Sequence, residues 1–563
     1  MPGRATTVGG CAAAALGVVC LLAAILSGAG CGGGPSRDGG EPALPTTGVV
    51  RVDGGDIRGS VDGSVSIYRG VPFAAPPVGP LRWRPPQPVR PWEGVRECVS
   101  FAPACPQQNV AGLAGRVSGP QSEDCLYLNI WSPAHAPGER LPVMVWIHGG
   151  GFVCGTSSLP GRQAVSLSAG GRVVLVSVSY RLGIFGYLAL SSLSRESADG
   201  ISGNYGLLDQ IAALRWVRRN IAAFGGDPRR VTVFGQSAGG QSVIALLVSP
   251  RSRGLFARAV VESARYEDRG IGLWATRPLA AQVREGEAIA TGLGAPPGDG
   301  RLTALRSLGA ARLLAAAAPA ARPLPALFSE PPRPSFQPVI DGVVLPAEPQ
   351  QMLRRGDWAR VPVIVGSNGD EAGMWFRGEQ PAQWSPSALE CRRRAAWYAG
   401  RQYARLARWF SPSSNGGLVR STSRMMTVLE FNAPARDTAR WAARSGTRVY
   451  LYYFTWAPPG DAWGAVHGAE TDYVFGAPPA GLPAGPAHAV EARLAAEMRG
   501  YWSRFAATGD PNGPGLPPWP RYGPGRERAL EVGAATRAVA VPYLAACRVV
   551  DRLTRRAPPR PAP

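Results

Sequence analysis

The chain has 563 residues, 45% of them hydrophobic, and a formal net charge of +21. That much apolar material can bury a large core and excludes a disordered protein, while length alone leaves open several domains or one large catalytic unit with insertions. All 60 basic residues are Arg, and they are scattered, with only short clusters such as Arg392-Arg393-Arg394 and Arg555-Arg556. No basic helix, metal-finger spacing or aromatic RNA-binding signature accompanies them. The charge therefore reads as the Arg usage of a GC-rich coding sequence, and no nucleic-acid partner is expected.

Residues 1–30 have the layout of a secretion signal: one Arg, an apolar run from Cys11 to Leu26, then small residues. The run is short for a membrane-spanning helix, which needs roughly 20 apolar residues. Cys31 follows at once, ahead of Gly32-Gly33-Gly34-Pro35-Ser36, and resembles the acceptor of a bacterial lipoprotein signal. Gly28, however, stands where Leu is usual. Three outcomes stay open: membrane anchorage through a lipidated Cys31, ordinary cleavage and secretion, or an uncleaved anchor. In each case the protein is expected to be exported. Residues 31–48 read as a flexible linker. Cys98, Cys105, Cys125, Cys154, Cys391 and Cys547 follow with no CxxC pair, so no metal site is expected.

Further along, Pro142 to Ile147 reads as a buried strand running into His148-Gly149-Gly150-Gly151-Phe152. Three glycines there let backbone N–H groups approach a ligand without side-chain obstruction. Val231-Thr232-Val233-Phe234 is a second short strand. It leads into Gly235-Gln236-Ser237-Ala238-Gly239 and then a helical run to Leu247. A serine on a tight strand-to-helix turn is pushed out where a base and a substrate both reach it, and this makes Ser237 the candidate nucleophile. A lone Gly-x-Ser-x-Gly would be weak. With the glycine loop upstream, the pair predicts an α/β-hydrolase fold, a central mostly parallel sheet flanked by helices. In that fold the N–H groups of Gly150, Gly151 and Ala238 are the candidate oxyanion hole.

The acid and base must come later in the chain. Val361 to Gly366 reads as a strand, followed by Asp370-Glu371; from the residues alone either carboxylate could orient an imidazole. Of the four histidines, only His467 and His488 follow Ser237. His488 begins a probable amphipathic helix and reads as surface. His467 lies in a glycine-flanked loop after the strand Val449 to Phe454 and suits a general base.

At this point the chain resembles the type-B carboxylesterases, which include bacterial para-nitrobenzyl-type esterases and the cholinesterases. The likeness rests on Tyr68-Arg69-Gly70-Val71-Pro72-Phe73, Ser122-Glu123-Asp124-Cys125-Leu126-Tyr127-Leu128-Asn129, Phe224-Gly225-Gly226-Asp227-Pro228, Gly464-Ala465-Val466-His467-Gly468 and Thr508-Gly509-Asp510-Pro511-Asn512. It runs through residues 49–553, leaving 554–563 as a Pro/Arg-rich tail. The resemblance implies Glu371 as the triad acid, a Cys105–Cys125 disulfide, and Ser263 as support behind the triad. It also implies hydrolysis of small-molecule carboxylic esters through an acyl-enzyme, without a cofactor. An amidase or carbamate hydrolase would use the same triad; a triad-less adhesion protein of the same fold is the other reading. Departures from the family pattern are Ala372 for Gly, Gln236 for the Glu of many animal members, and Glu262-Ser263-Ala264 for Gln-Ser-Gly. Substrate identity and oligomeric state are not readable from the sequence.

Overall fold

The alternation of apolar side chains along the central strands decides the architecture. In the strand Leu141–Ile147, Val143, Val145 and Ile147 join one buried cluster while Met144 and Trp146 join another. A strand buried on both faces belongs in the middle of a parallel sheet covered by helices on each side. The computed structural model describes residues 44–108, 119–158, 163–265, 276–318, 336–375, 406–411, 417–478, 485–523 and 525–554. The expected signal, Cys31, Cys391 and the tail beyond Thr554 lie outside the described residues.

The strands are β1 (Thr46–Val52), β2 (Gly55–Asp62), β3 (Val65–Pro72), β4 (Val95–Glu97), β5 (Tyr127–Ser132), β6 (Leu141–Ile147), β7 (Val174–Val178), β8 (Gly226–Gln236), β9 (Arg258–Glu262), β10 (Arg277–Pro278), β11 (Val339–Ile340), β12 (Val363–Asn368), β13 (Val449–Phe454), β14 (Arg528–Val532) and β15 (Arg537–Ala540). The main sheet runs β1-β2-β3-β5-β7-β6-β8-β9-β12-β13-β14-β15, with β4 pairing on β2. Strands β7 through β14 in that order are parallel, and antiparallel strands flank them on both sides. β10 and β11 form a separate two-stranded ribbon.

One face packs against the helices Tyr205–Asn220, Ala238–Val248 and Ala433–Arg444. The other packs against Gln163–Gly171 and Pro486–Thr508. The mostly parallel, helix-flanked sheet expected from the sequence is therefore present. One boundary is corrected: the linker assigned to 31–48 stops earlier, because Thr46–Val52 is already a strand paired antiparallel with β2. Its β-branched residues favour the pleated conformation over a free linker.

Parallel strands place all their carboxyl ends on one edge, and loops there form the natural site of such a sheet. β6, β8, β12 and β13 lie in the sheet's centre, and each is followed by one of the chemically marked segments.

Candidate active site

Ser237 sits between β8 and the helix Ala238–Val248 with φ 59° and ψ −124°. For a residue bearing a side chain this is a sparsely populated backbone region, held only because its surroundings over-determine it. The Ser237 N–H donates to the Glu262 carbonyl at 2.9 Å, and the Gln241 N–H donates to the Ser237 carbonyl at 2.9 Å, fixing the turn from both sides. Ala238 is the first residue of the helix, where N–H groups lack intrahelical partners and point at whatever lies before the helix.

The His148–Gly151 segment lies against this turn. A Cβ placed on Gly149 would come within 3.1 Å of Ser237 Cβ. Gly150 has φ +106°, a conformation that side-chain-bearing residues rarely adopt, and its carbonyl accepts from the N–H groups of Val153 (3.1 Å) and Cys154 (3.0 Å). The ring of His148 stacks on Tyr180 (centroids 4.4 Å apart), whose hydroxyl donates to the His148 carbonyl at 2.8 Å. Burial lowers the His148 pKa to about 4, so its ring is neutral and packs as a structural aromatic.

Glu371 and His467 meet: His467 Nδ1 lies 2.5 Å from Glu371 Oε2. Glu371 is fully buried, and its other oxygen accepts the Asn368 backbone N–H at 2.7 Å. Asp370 goes elsewhere. Its carboxylate faces Arg424 at 3.8 Å and is raised in pKa by burial, against the opposing pull of Arg424 and Arg420. The choice that the residues alone left open is thus separated by geometry: only the second carboxylate reaches the imidazole. His488 is exposed on its helix, as read.

The other imidazole nitrogen, His467 Nε2, lies 3.2 Å from the Gln236 side-chain nitrogen. With Nδ1 protonated toward Glu371, Nε2 is an acceptor and the amide its donor. Ser237 Oγ makes no hydrogen bond to the ring. The structure therefore brings Glu371 and His467 into contact and sets the Ser237 turn beside them, with the Gln236 amide on the second imidazole nitrogen.

Ser263 does not touch Glu371 directly. Its hydroxyl donates to Glu470 Oε1 at 3.0 Å, and Asn368 Nδ2 donates to Glu470 Oε2 at 2.5 Å. Ser263 thus acts through Glu470 and Asn368, and neither of those was assigned a role from sequence. Their signals were positional: Glu470 follows His467 by three residues and Asn368 precedes Glu371 by three. Behind them lies Glu262, buried, with one oxygen accepting from Trp502 Nε1 at 2.6 Å. Burial, then the neighbouring Glu470, pushes the Glu262 pKa up to about 8. Burial and then Glu371 likewise raise Glu470.

Cys105 and Cys125 are disulfide-bonded, the pairing the family resemblance implied, whereas Cys98 and Cys154 are buried free thiols. Among the described residues no His, Cys, Asp and Glu cluster is arranged to hold a metal ion.

Known proteins with these features are numerous. The carboxylesterase family model matches residues 46–549. A fumonisin B1 esterase from Sphingopyxis macrogoltabida is 39% identical over 480 residues, covering 84% of each chain. The para-nitrobenzyl esterase of Bacillus subtilis (strain 168) is 35% identical, covering 84% of this chain and 92% of its own. Among solved structures, a Geobacillus stearothermophilus carboxylesterase superposes with a TM-score of 0.75 at 35% identity, covering 88% of this chain and 98% of that one.

Proposed function

Because the chain belongs to the carboxylesterase family, has the α/β-hydrolase fold and is a carboxylic ester hydrolase, we propose that it works by nucleophilic catalysis with Ser237, His467 and Glu371 as its triad. The observation that carries this reading is the buried Glu371–His467 contact of 2.5 Å beside a serine held at φ 59°.

In this mechanism Ser237 Oγ displaces the Gln236 amide from His467 Nε2. As Oγ bonds to the ester carbonyl carbon, its proton passes to Nε2, and Glu371 stabilises the resulting imidazolium. The carbonyl electrons move onto oxygen, which is held by the N–H groups of Gly150, Gly151 and Ala238. Collapse breaks the C–O bond to the alcohol, which leaves with the Nε2 proton. Water then gives a proton to Nε2 and attacks the acyl-enzyme. The carboxylic acid is released and the proton returns to Ser237 Oγ. All these steps are proton and acyl transfers that the chain's own groups supply.

The signal layout of residues 1–30 supports export, and Cys31 offers a lipid attachment point. Small esters are the substrates. The amidase and carbamate readings use the same residues but demand more from the leaving group, so esters come first.

Ser237→Ala tests the triad. It removes hydrolysis of para-nitrophenyl acetate and labelling by a fluorophosphonate probe while the thermal melt stays in place, because Oγ makes no structural hydrogen bond. Residual activity above a few per cent in contamination-free protein overturns the assignment.

A further inference from the structure

The side chain of Gln107 lies outside the triad, close to the disulfide, yet every polar atom it has is committed. Its Nε2 donates to the Cys105 carbonyl at 3.0 Å and to the Gly155 carbonyl at 2.8 Å. Its Oε1 accepts the Gly155 N–H at 2.7 Å. The Gln107 backbone N–H in turn donates to Gln121 Oε1 at 3.0 Å. The residue is only 5% exposed. An amide that matches both backbone groups of one glycine acts as a two-point clamp, with neutral hydrogen bonds that are stronger in a dry interior than in water.

The clamped glycine is where the oxyanion loop closes. Gly155 has φ +120°, and a Cβ there would lie 2.3 Å from His148 Nδ1 and 2.5 Å from the Gly149 carbonyl. Gly155 thus packs directly under the first two residues of the loop. Between them, the carbonyl of Gly150 is held by the N–H groups of Val153 and Cys154. The directions of the Gly150 and Gly151 N–H groups therefore depend on a short closed turn, one end of which is β6 and the other Gly155. Strand hydrogen bonds fix the first end. At the second, Gln107 supplies the fixed point, 48 residues away in sequence.

We infer that Gln107 is a positioning residue for the oxyanion hole, tying the Cys105–Cys125 disulfide to the backbone donors of His148–Gly155. The inference rests on the serine-esterase reading above. Gln107 touches neither substrate nor triad, so its loss spares ground-state binding and weakens stabilisation of the tetrahedral intermediate, for which donor placement matters most.

The test uses Gln107→Met, which keeps the volume and removes all three side-chain hydrogen bonds, in the full mature chain. Gln107→Asn, one methylene too short to reach Gly155, serves as the second variant should the first fold poorly. Sites are counted by exhaustive fluorophosphonate labelling, so that misfolded protein does not enter kcat. The expected result is a per-site kcat lower by about 10- to 100-fold, below or at the bottom of the range for loss of a whole oxyanion donor. KM should stay within about threefold. Affinity for a trifluoromethyl ketone, whose adduct carries the same oxyanion, should fall in step with kcat/KM. A folded variant with wild-type per-site kcat and ketone affinity overturns the inference. Failure of the probe to label the wild-type enzyme would instead overturn the serine-esterase reading, so the two failures are distinct.

Discussion

Replacing Glu371 by Gln removes one charge and almost no volume, and the structure dictates which way the amide must sit. Both carboxylate oxygens are committed, Oε1 to the Asn368 backbone N–H and Oε2 to His467 Nδ1. A backbone N–H cannot become an acceptor, so the glutamine oxygen is retained there and its NH2 group turns toward the imidazole. Nδ1 must then be the unprotonated nitrogen, and the neutral ring carries its proton on Nε2, the atom that has to take the proton of Ser237. The opposite orientation faces the NH2 group against a buried N–H, leaving a donor unsatisfied at a cost of about 1–3 kcal/mol. A triad base locked in the wrong tautomer loses about 10⁴ in kcat, equivalent to about 5.5 kcal/mol at 1.36 kcal/mol per tenfold. The assay is steady-state hydrolysis of para-nitrophenyl acetate at pH 7.5, normalised to folded protein, with a thermal melt beside it. A folded Glu371→Gln enzyme less than about tenfold impaired would refute both the tautomer reasoning and the role of Glu371.

Glu262→Gln gives a pH signature. The carboxyl ionises near its ordinary 4.5 when unfolded but is pushed up to about 8 when folded, by burial first and Glu470 second. The native state therefore keeps a proton that the unfolded chain releases: the associated stability is present below about pH 4.5 and lost as pH rises through 8. The variant should gain on the wild type by up to a few kcal/mol between pH 5 and 8.5, read as diverging melting temperatures; parallel pH curves would contradict this. A choline ester should be hydrolysed with lower kcat/KM than an uncharged ester of the same acyl group. The segment between Cys105 and Cys125 has no Trp, Tyr or Phe to supply cation–π attraction, Gln236 brings no charge, and the net charge is +21. Preference for the choline ester would sink that expectation. Mass spectrometry of the exported protein should find the first ~30 residues removed, as for typical signals, and a lipid-modified Cys31 as the new terminus if the protein is membrane-anchored; an unmodified terminus elsewhere leaves simple secretion.

What the sequence disclosed and what it withheld divide along a physical line. The glycine loop and the serine turn are local backbone devices, so a few consecutive residues announce them. The strands β6, β8, β12 and β13 announce themselves too, as short apolar runs. Asp370 and Glu371 are neighbours in one short loop, and no local rule separates them. Their roles diverge because the 3₁₀ turn Glu371–Trp375 turns one carboxylate inward to His467 while the other faces Arg424. Gln107 acts on Gly155, 48 residues away, and nothing in its immediate neighbours marks it; Asn368 and Glu470 lie three residues from Glu371 and His467, but their mutual bond spans 102 residues. The sequence pattern starts the domain three residues late because Thr46-Thr47-Gly48 carries no apolar alternation, and only pairing with β2 makes it a strand.

The pieces of the site lie far apart along the chain: His467 is 96 residues beyond Glu371 and 231 beyond Gln236. No single hairpin or helix pair contains a working fragment. Closing such long loops is the slow part of folding a parallel sheet, because the entropy is lost before the contacts form. Hydrolysis is consequently a late event in the life of the molecule. On the proposed triad, a chain stopped short of β13 carries Ser237 and the glycine loop but lacks His467, and is expected to be chemically silent. With that assignment, turnover of ester reports that the sheet has assembled through β13, in a way that secondary-structure content alone cannot.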